Sequence, residues 1–491
     1  MKKIITTLIS LLLICHLSLS EEWKNPKTQP PLAKPKRVTA GESLPPLPLP
    51  ATPLRRSEPK RQPAKPALVG LLNFSDLNNK YPTTQVDIEK LIQFANNKLN
   101  IQYRFIELSI SRFTYNPSEL PIIYITGWTP MPELSENTIQ KLRQYVYSGG
   151  TIIFHSQCSR SEFTTSARKQ IERIFPNRKL APVENDNPIF HSYFQISQVK
   201  VRRNDEPIKT LPPYLECVYL GVRPAIIFSP IDLNCSWNIK DNPIQGGTLY
   251  SSDDGLCLGI NIITYTLATH EYARNFSYQD IYHQQNDNSR DELVLAQIIH
   301  NGEWDCTPHS LPSLLKYIQN NTTLKVQFKR ENVLLSNTNI NSFPILYITG
   351  LRDFTLSKNE INNLKSYLNN GGFLFADSSI GNKSFDIAFR REMNKIANKS
   401  FEKIETNSII YSMPYNIKEV SYTSITNNVY VNLNNQPCLE GIKINDQYSI
   451  IYSKLGLSNG WSNLKYEYNI GYCHNDSLKL GINIISYALT H

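Results

Sequence analysis

Several familiar signatures are missing from this sequence. There is no glycine-rich phosphate loop, no His-Glu-x-x-His, no dinucleotide fingerprint and no Cys-x-x-Cys pair. Their absence removes the usual backbone cradles for nucleotides and the commonest zinc spacings, so no cofactor and no metal are expected. Excess charge is also scarce once the N-terminal region is set aside. Residues 21–66 carry ten Lys/Arg against four Glu, or +6 of the chain's +9, and Lys2 and Lys3 account for two more. The remaining +1 is no footprint for nucleic acid, and none is expected as a partner. The apolar run Ile4 to Cys15 falls short of the roughly 20 residues needed to span a bilayer.

What stands at the N-terminus fits export. Lys2 and Lys3 precede the apolar run, and Ser18-Leu19-Ser20 offers small residues before Glu21. We read residues 1–20 as a signal peptide, which predicts a periplasmic or cell-envelope location. Residues 21–66 hold 12 of the 31 prolines and read as a basic, Pro-rich disordered linker. Its charge suits peripheral contact with an anionic membrane.

Eight cysteines are present, and Cys15 lies in the leader. The other seven do not face one another between the two halves described next: Cys158 aligns with Ile380, Cys217 with Gly441 and Cys438 with Tyr214. Most are expected to be small buried hydrophobes. A disulfide among Cys217, Cys235 and Cys257 stays open in an oxidising compartment.

The chain is duplicated. Pro121-Ile122-Ile123-Tyr124-Ile125-Thr126-Gly127 returns as Pro344-Ile345-Leu346-Tyr347-Ile348-Thr349-Gly350, and Leu258-Gly259-Ile260-Asn261-Ile262-Ile263 returns as Leu480-Gly481-Ile482-Asn483-Ile484-Ile485. The period far exceeds that of a solenoid repeat. Two domains follow, residues 67–275 and 291–491, joined by a connector over 276–290.

Within each copy, apolar runs alternate with amphipathic segments. Ile122 to Thr126 and Ile345 to Thr349 lead into helices that begin at Ser135 and Ser357, the second with a Ser357/Glu360 capping box. Both helices end at a glycine pair, Gly149-Gly150 and Gly371-Gly372, and a second apolar run follows. Such runs mark central parallel strands, so each copy is expected to be an α/β domain: a doubly wound, mostly parallel sheet with helices on both faces. Ligands of such sheets bind beyond the carboxyl ends of the strands.

The candidate site residues follow from that rule. After the central strand come His155-Ser156-Gln157-Cys158-Ser159 in one copy and Asp377-Ser378-Ser379-Ile380-Gly381 in the other. Cys158 or Ser379 could serve as a nucleophile on a strand-to-helix turn, with His155 or Asp377 nearby, but neither nucleophile is shared. Arg390, Arg391 and Glu392 on the next helix are expected near a ligand with Gly350, Asp377 and Ser378. The alternative is an ion pair from Arg390 to Asp377 or Asp386. Trp461 matches Trp237, either stacking on a ligand or packing.

Tyr347-Ile348-Thr349-Gly350, Gly371 to Asp377, Phe389-Arg390-Arg391-Glu392-Met393, Gly460-Trp461 and the terminal Leu480 to His491 together resemble the bacterial domain of unknown function 4159. The resemblance implies a fold similar to class I glutamine amidotransferases, which are flavodoxin-like in layout. It implies no known reaction. Family members usually have His where this chain has Trp128 and Leu351, and Asp then Cys where it has Ser378-Ser379. Loss of that set points to a non-catalytic binding or scaffold protein of the envelope, with an envelope protein or a cell-surface polymer as partner and the second copy keeping the pocket. The competing expectation is a hydrolase acting on a carbohydrate or amide through Asp377, Ser379, Arg390 and Glu392.

Overall fold

The computed structural model describes residues 64–74, 76, 85–114, 116–203, 206–237, 247–278, 293–326 and 330–491. The expected leader, nearly all of the linker and most of the connector lie outside the described residues. The strands of the first copy are β1 (Ala67–Asn73), β2 (Arg104–Ser109), β3 (Ile122–Gly127), β4 (Thr151–Ser156), β5 (Ala181–Pro182), β6 (Val199–Arg203), β7 (Lys209–Leu211), β8 (Glu216–Leu220), β9 (Arg223–Ser229) and β10 (Thr248–Tyr250). Its helices are α1 (Gln85–Leu99), α2 (Glu136–Tyr147), α3 (Ser161–Ile174), α4 (Asn234–Trp237), α5 (Ser252–Ala268) and α6 (His270–Tyr278). Helix α6 runs three residues past the expected domain end at 275.

The second copy repeats this with β11 (Leu295–Ile298), β12 (Glu331–Val333), β13 (Ile345–Gly350), β14 (Phe373–Ser378), β15 (Glu402–Lys403), β16 (Glu440–Ile444) and β17 (Gln447–Ser453). Its helices are α7 (Ser310–Asn321), α8 (Lys358–Asn369), α9 (Lys383–Ala397), α10 (Ser424–Val429), α11 (Ser458–Trp461) and α12 (His474–Thr490). The main sheets have the same order, β2-β1-β3-β4-β9-β8-β5 and β12-β11-β13-β14-β17-β16-β15. The first five strands of each list pair in parallel, and the last two pairings are antiparallel. A small antiparallel sheet, β10-β6-β7, is added to the first copy. The sequence reading did not anticipate it.

Side-chain parity explains the layering. In the second copy Tyr347, Phe375 and Ile451 join one apolar cluster with Leu314 of α7 and Ile482 of α12. Their neighbours Leu346, Leu374 and Ile450 join another with Leu364 of α8 and Phe389 of α9. Successive strand residues point to opposite faces, so a strand covered on both must be apolar at both parities. The protein is thus an α/β molecule with two mostly parallel sheets.

The helix ends follow the sequence closely. Ser357 and Glu360 form the capping box, and Ser135 accepts from the Thr138 N–H. Gly149 and Gly371 sit at φ +105° and +91°, backbone that non-glycine residues rarely adopt.

Candidate functional site

At the second sheet's carboxyl end the charged candidate side chains are all bonded within the chain. Asp377 is fully buried and accepts from the Tyr347 hydroxyl, the backbone N–H groups of Leu457 (3.1 Å) and Ser458 (3.0 Å), and the Ser458 hydroxyl (3.0 Å). It therefore holds the start of α11 against the sheet. Burial raises its pKa above the usual carboxylate range despite those donors. Ser379 is also fully buried and lies beside the Cys306 thiol, and among the described residues no base is within hydrogen-bond reach of its Oγ. Ser378 donates to the Asn382 carbonyl (2.8 Å), as its counterpart Ser156 does to Arg160 (3.0 Å), so the one shared serine closes a turn.

The expected convergence on Asp377 does not occur. Arg390 pairs with Asp386 (2.8 Å) and Glu440 (2.6 Å) and lies over the Tyr452 ring. Arg168 repeats this in the first copy, pairing with Glu216 over the Phe228 ring. A guanidinium clamped between helix and sheet in both copies is a packing device. Glu392 is buried between Arg391 and Lys395, each at 2.8 Å, and accepts from Leu356 N–H; Arg391 also reaches Asp353. Trp461 is 1% exposed, and its indole N–H donates to Ser477 O (2.9 Å), while Trp237 bonds Gly255 O (3.0 Å). Both tryptophans are core residues.

The first copy covers this end of the second. Cys306, Leu351, Ile380, Leu464 and Tyr466 belong to the same apolar cluster as the first copy's core. Around them Arg352 pairs with Glu184 (2.5 Å) and bonds Pro182 O, Lys383 N–H bonds Asp186, and the Tyr265 and Tyr466 hydroxyls meet at 2.8 Å. Gly350, expected to face a ligand, has a would-be Cβ 2.8 Å from Gly302 O, so it marks a close approach of backbone. Matched positions show the contrast: Trp128 is 42% exposed in the first copy, while Leu351 is 2% exposed in the second. The expected pocket residues of the second copy are thus covered, and the groove that copy does hold, about 250 Å³ beside α11, is lined by others such as Thr423, Asn459 and His474. A groove of about 850 Å³ remains between the copies, lined by Val183, Leu211, Tyr214, Ile231 and Ile387 among others.

Chemistry-bearing groups converge instead at the first sheet's carboxyl end. His155 is buried at the end of β4, and the Leu233 N–H donates to its Nε2 (2.8 Å). Its Nδ1 lies 2.9 Å from Thr126 Oγ1, and its Nε2 also approaches Asp232 Oδ1 at 3.4 Å. His155 thus does for α4 what Asp377 does for α11.

Beyond it, Cys158 and Ser159 both sit at φ 52°, in the left-handed region. Asp232 accepts from the backbone N–H of Cys158 (2.5 Å) and of Cys235 (3.1 Å), and its Oδ2 lies 3.2 Å from the Cys235 Sγ. The ligating atoms of Cys158, Asp232 and Cys235 all lie within 4.8 Å of one another. The hydrogen bond from Cys235 draws the Cys158 thiol below its ordinary range, and the same bond with burial pushes Cys235 up. Burial opposes the charge on Asp232, but the neighbouring His155 and, after it, the backbone N–H groups of Cys235 and Cys158 hold its carboxyl below the usual range. Sequence reasoning considered Cys158 as a nucleophile and Cys235 as a disulfide half, without joining them. Asp232, which falls with Cys235 in a stretch that resembles the family, was not among the candidate site residues, since it aligns with Gly456 and only the fold brings it to the turn after β4.

No curated protein matches the chain. Among solved structures it is similar to the exo-β-1,4-mannosidase Op5Man5 from Opitutaceae bacterium strain TAV5, at 12% identity, with 44% of this chain and 35% of that chain covered and a TM-score of 0.18. The chain therefore spans about a third of that enzyme's length. A protein assigned as a phosphosugar isomerase from Silicibacter pomeroyi DSS-3 is 10% identical, with 63% of this chain and 75% of that one covered and a TM-score of 0.17. Neither likeness bears on the site. The family described as "Domain of unknown function (DUF4159)" matches residues 74–267 and again 294–489, and the chain belongs to it as two tandem copies.

Proposed function

We propose that this is an exported, envelope-associated binding or assembly protein whose second copy does not catalyse. The observation that carries the reading is the sealed carboxyl end of the second sheet. Asp377, Ser378, Ser379 and Glu392 are fully buried there and bonded within the chain or, for Ser379, set against Cys306. A hydrolase working through these four positions would need a cleft with a base in reach of Ser379. The parallel strands follow the order 2-1-3-4-5 of flavodoxin-like sheets, which supports an amidotransferase-like ancestry for both copies. The basic linker, read from sequence, supplies the envelope contact.

Sedimentation with isolated cell envelopes tests this. Residues 21–491 should co-sediment in a salt-sensitive manner, residues 67–491 should be retained less, and no soluble fragment should leave the envelope during incubation. Product release that disappears in Ser379→Ala would establish the hydrolase and sink the proposal.

A further inference from the structure

We propose that Cys158, Asp232 and Cys235 form a binding site for a borderline-soft divalent cation of the zinc class, held at the carboxyl end of the first sheet. This goes beyond the envelope-binding reading and does not depend on it. Two sulfurs and a carboxylate oxygen supply three ligands, and the fourth position is left for water or a partner's side chain.

The spacing fits. With metal–sulfur bonds of about 2.3 Å and metal–oxygen bonds of about 2.0 Å, ligand atoms on a tetrahedron lie roughly 3.5–4 Å apart. The three atoms here all lie within 4.8 Å of one another, and Cys235 Sγ is 3.2 Å from Asp232 Oδ2. The carboxylate is also oriented from behind. Each of its oxygens accepts one backbone N–H, from Cys235 on Oδ1 and from Cys158 on Oδ2, which leaves lone pairs directed at the sulfurs. Cation binding displaces the two thiol protons to solvent, and the Oδ2 lone pair that accepted the Cys235 S–H turns to the metal. Asp232 stays a carboxylate throughout, so the bound site carries one net negative charge.

The duplication supplies an internal control. The second copy builds the same turns with Ile380, Gly456 and Asn459 in place of Cys158, Asp232 and Cys235. The fold therefore does not need two thiols and a carboxylate there. The second copy has no room for them either: a Cβ on Gly456 would lie 2.2 Å from Ser379 O and 2.8 Å from Asn469 Oδ1. In the first copy that space is held open by Cys158 and Ser159 in a left-handed conformation, where the second copy places Gly381. Cys235 is only half-buried, which gives an ion a way in.

Cobalt is the probe. Residues 21–491, reduced and stripped of metal, should take up one equivalent of Co²⁺ with a thiolate-to-cobalt absorption band, and Zn²⁺ should bleach it. The band should vanish in Cys235→Ser and in Cys158→Ser and persist in Cys257→Ser. Circular dichroism and melting of the metal-free variants should match the parent, which separates ligand loss from misfolding. Retention of the band in Cys235→Ser, or its absence from the folded parent, would overturn the site. A Cys158–Cys235 cross-linked peptide in protein isolated without reductant would overturn it in favour of a disulfide.

Discussion

At the residue scale, His155 and Asp377 show how an alignment of copies misleads. They occupy one position and differ in chemistry, which reads as loss of a catalytic set. Both instead accept a backbone N–H from the loop after the last parallel strand, Leu233 and Leu457, at sequence separations of 78 and 80. Sequence spacing cannot show such a partnership. His300 was invisible for the same reason. Its Nδ1 accepts Gly302 N–H (3.0 Å), its Nε2 faces Thr349 O (2.8 Å), and burial lowers its pKa to about 4. An unfolded histidine takes its proton near 6.5, so between about 6.5 and about 4 the unfolded chain binds more protons. Stability is full above that window and falls by about 3 kcal/mol as pH drops through it. Urea unfolding across this range should show the slope, and His300→Gln should flatten it; an unchanged slope would absolve His300.

At the element scale the sequence was most legible. Apolar runs gave the inner parallel strands, though not the edge strands β2 and β12, and Ser357 with Glu360 gave a helix start, because these signals are local. The antiparallel edges were less so: β8 and β16 pair with the two-residue strands β5 and β15, too short to read as apolar runs, and the β10-β6-β7 sheet brings β10 back to a strand some fifty residues earlier. The two glycine helix ends look equivalent in sequence and are not in space. A Cβ on Gly371 would meet nothing within 4 Å, whereas one on Gly149 would lie 2.9 Å from the Arg274 backbone N. Gly371→Ala should cost only its backbone strain, about 1 kcal/mol. Gly149→Ala should cost clearly more, because α6 must shift as well. Chemical denaturation midpoints of the two variants rank them directly, and equal losses would contradict the packing difference.

At the scale of the whole molecule, the two copies are not separate beads. Tyr265 and Tyr468 stack at 5.5 Å, Tyr272 meets Tyr466 edge-on, and Cys306 and Ile380 sit in a cluster whose other members are mostly first-copy residues. None of this was readable from the repeat, which counts copies without saying which faces meet. Calorimetry of residues 64–491 should give one cooperative transition. Residues 291–491 alone should expose that apolar end and bind a hydrophobic dye. Two resolved transitions, or a compact dye-silent fragment, would refute the coupling.

The cover over the second sheet is also a ligand of a special kind. Because the covering segment is covalently attached, its effective concentration is fixed by geometry and cannot be diluted away. Any small molecule that entered the second sheet's end would have to outcompete a tethered occupant present at one equivalent in every chain. Gene duplication here has left the end of one sheet permanently titrated by its sibling.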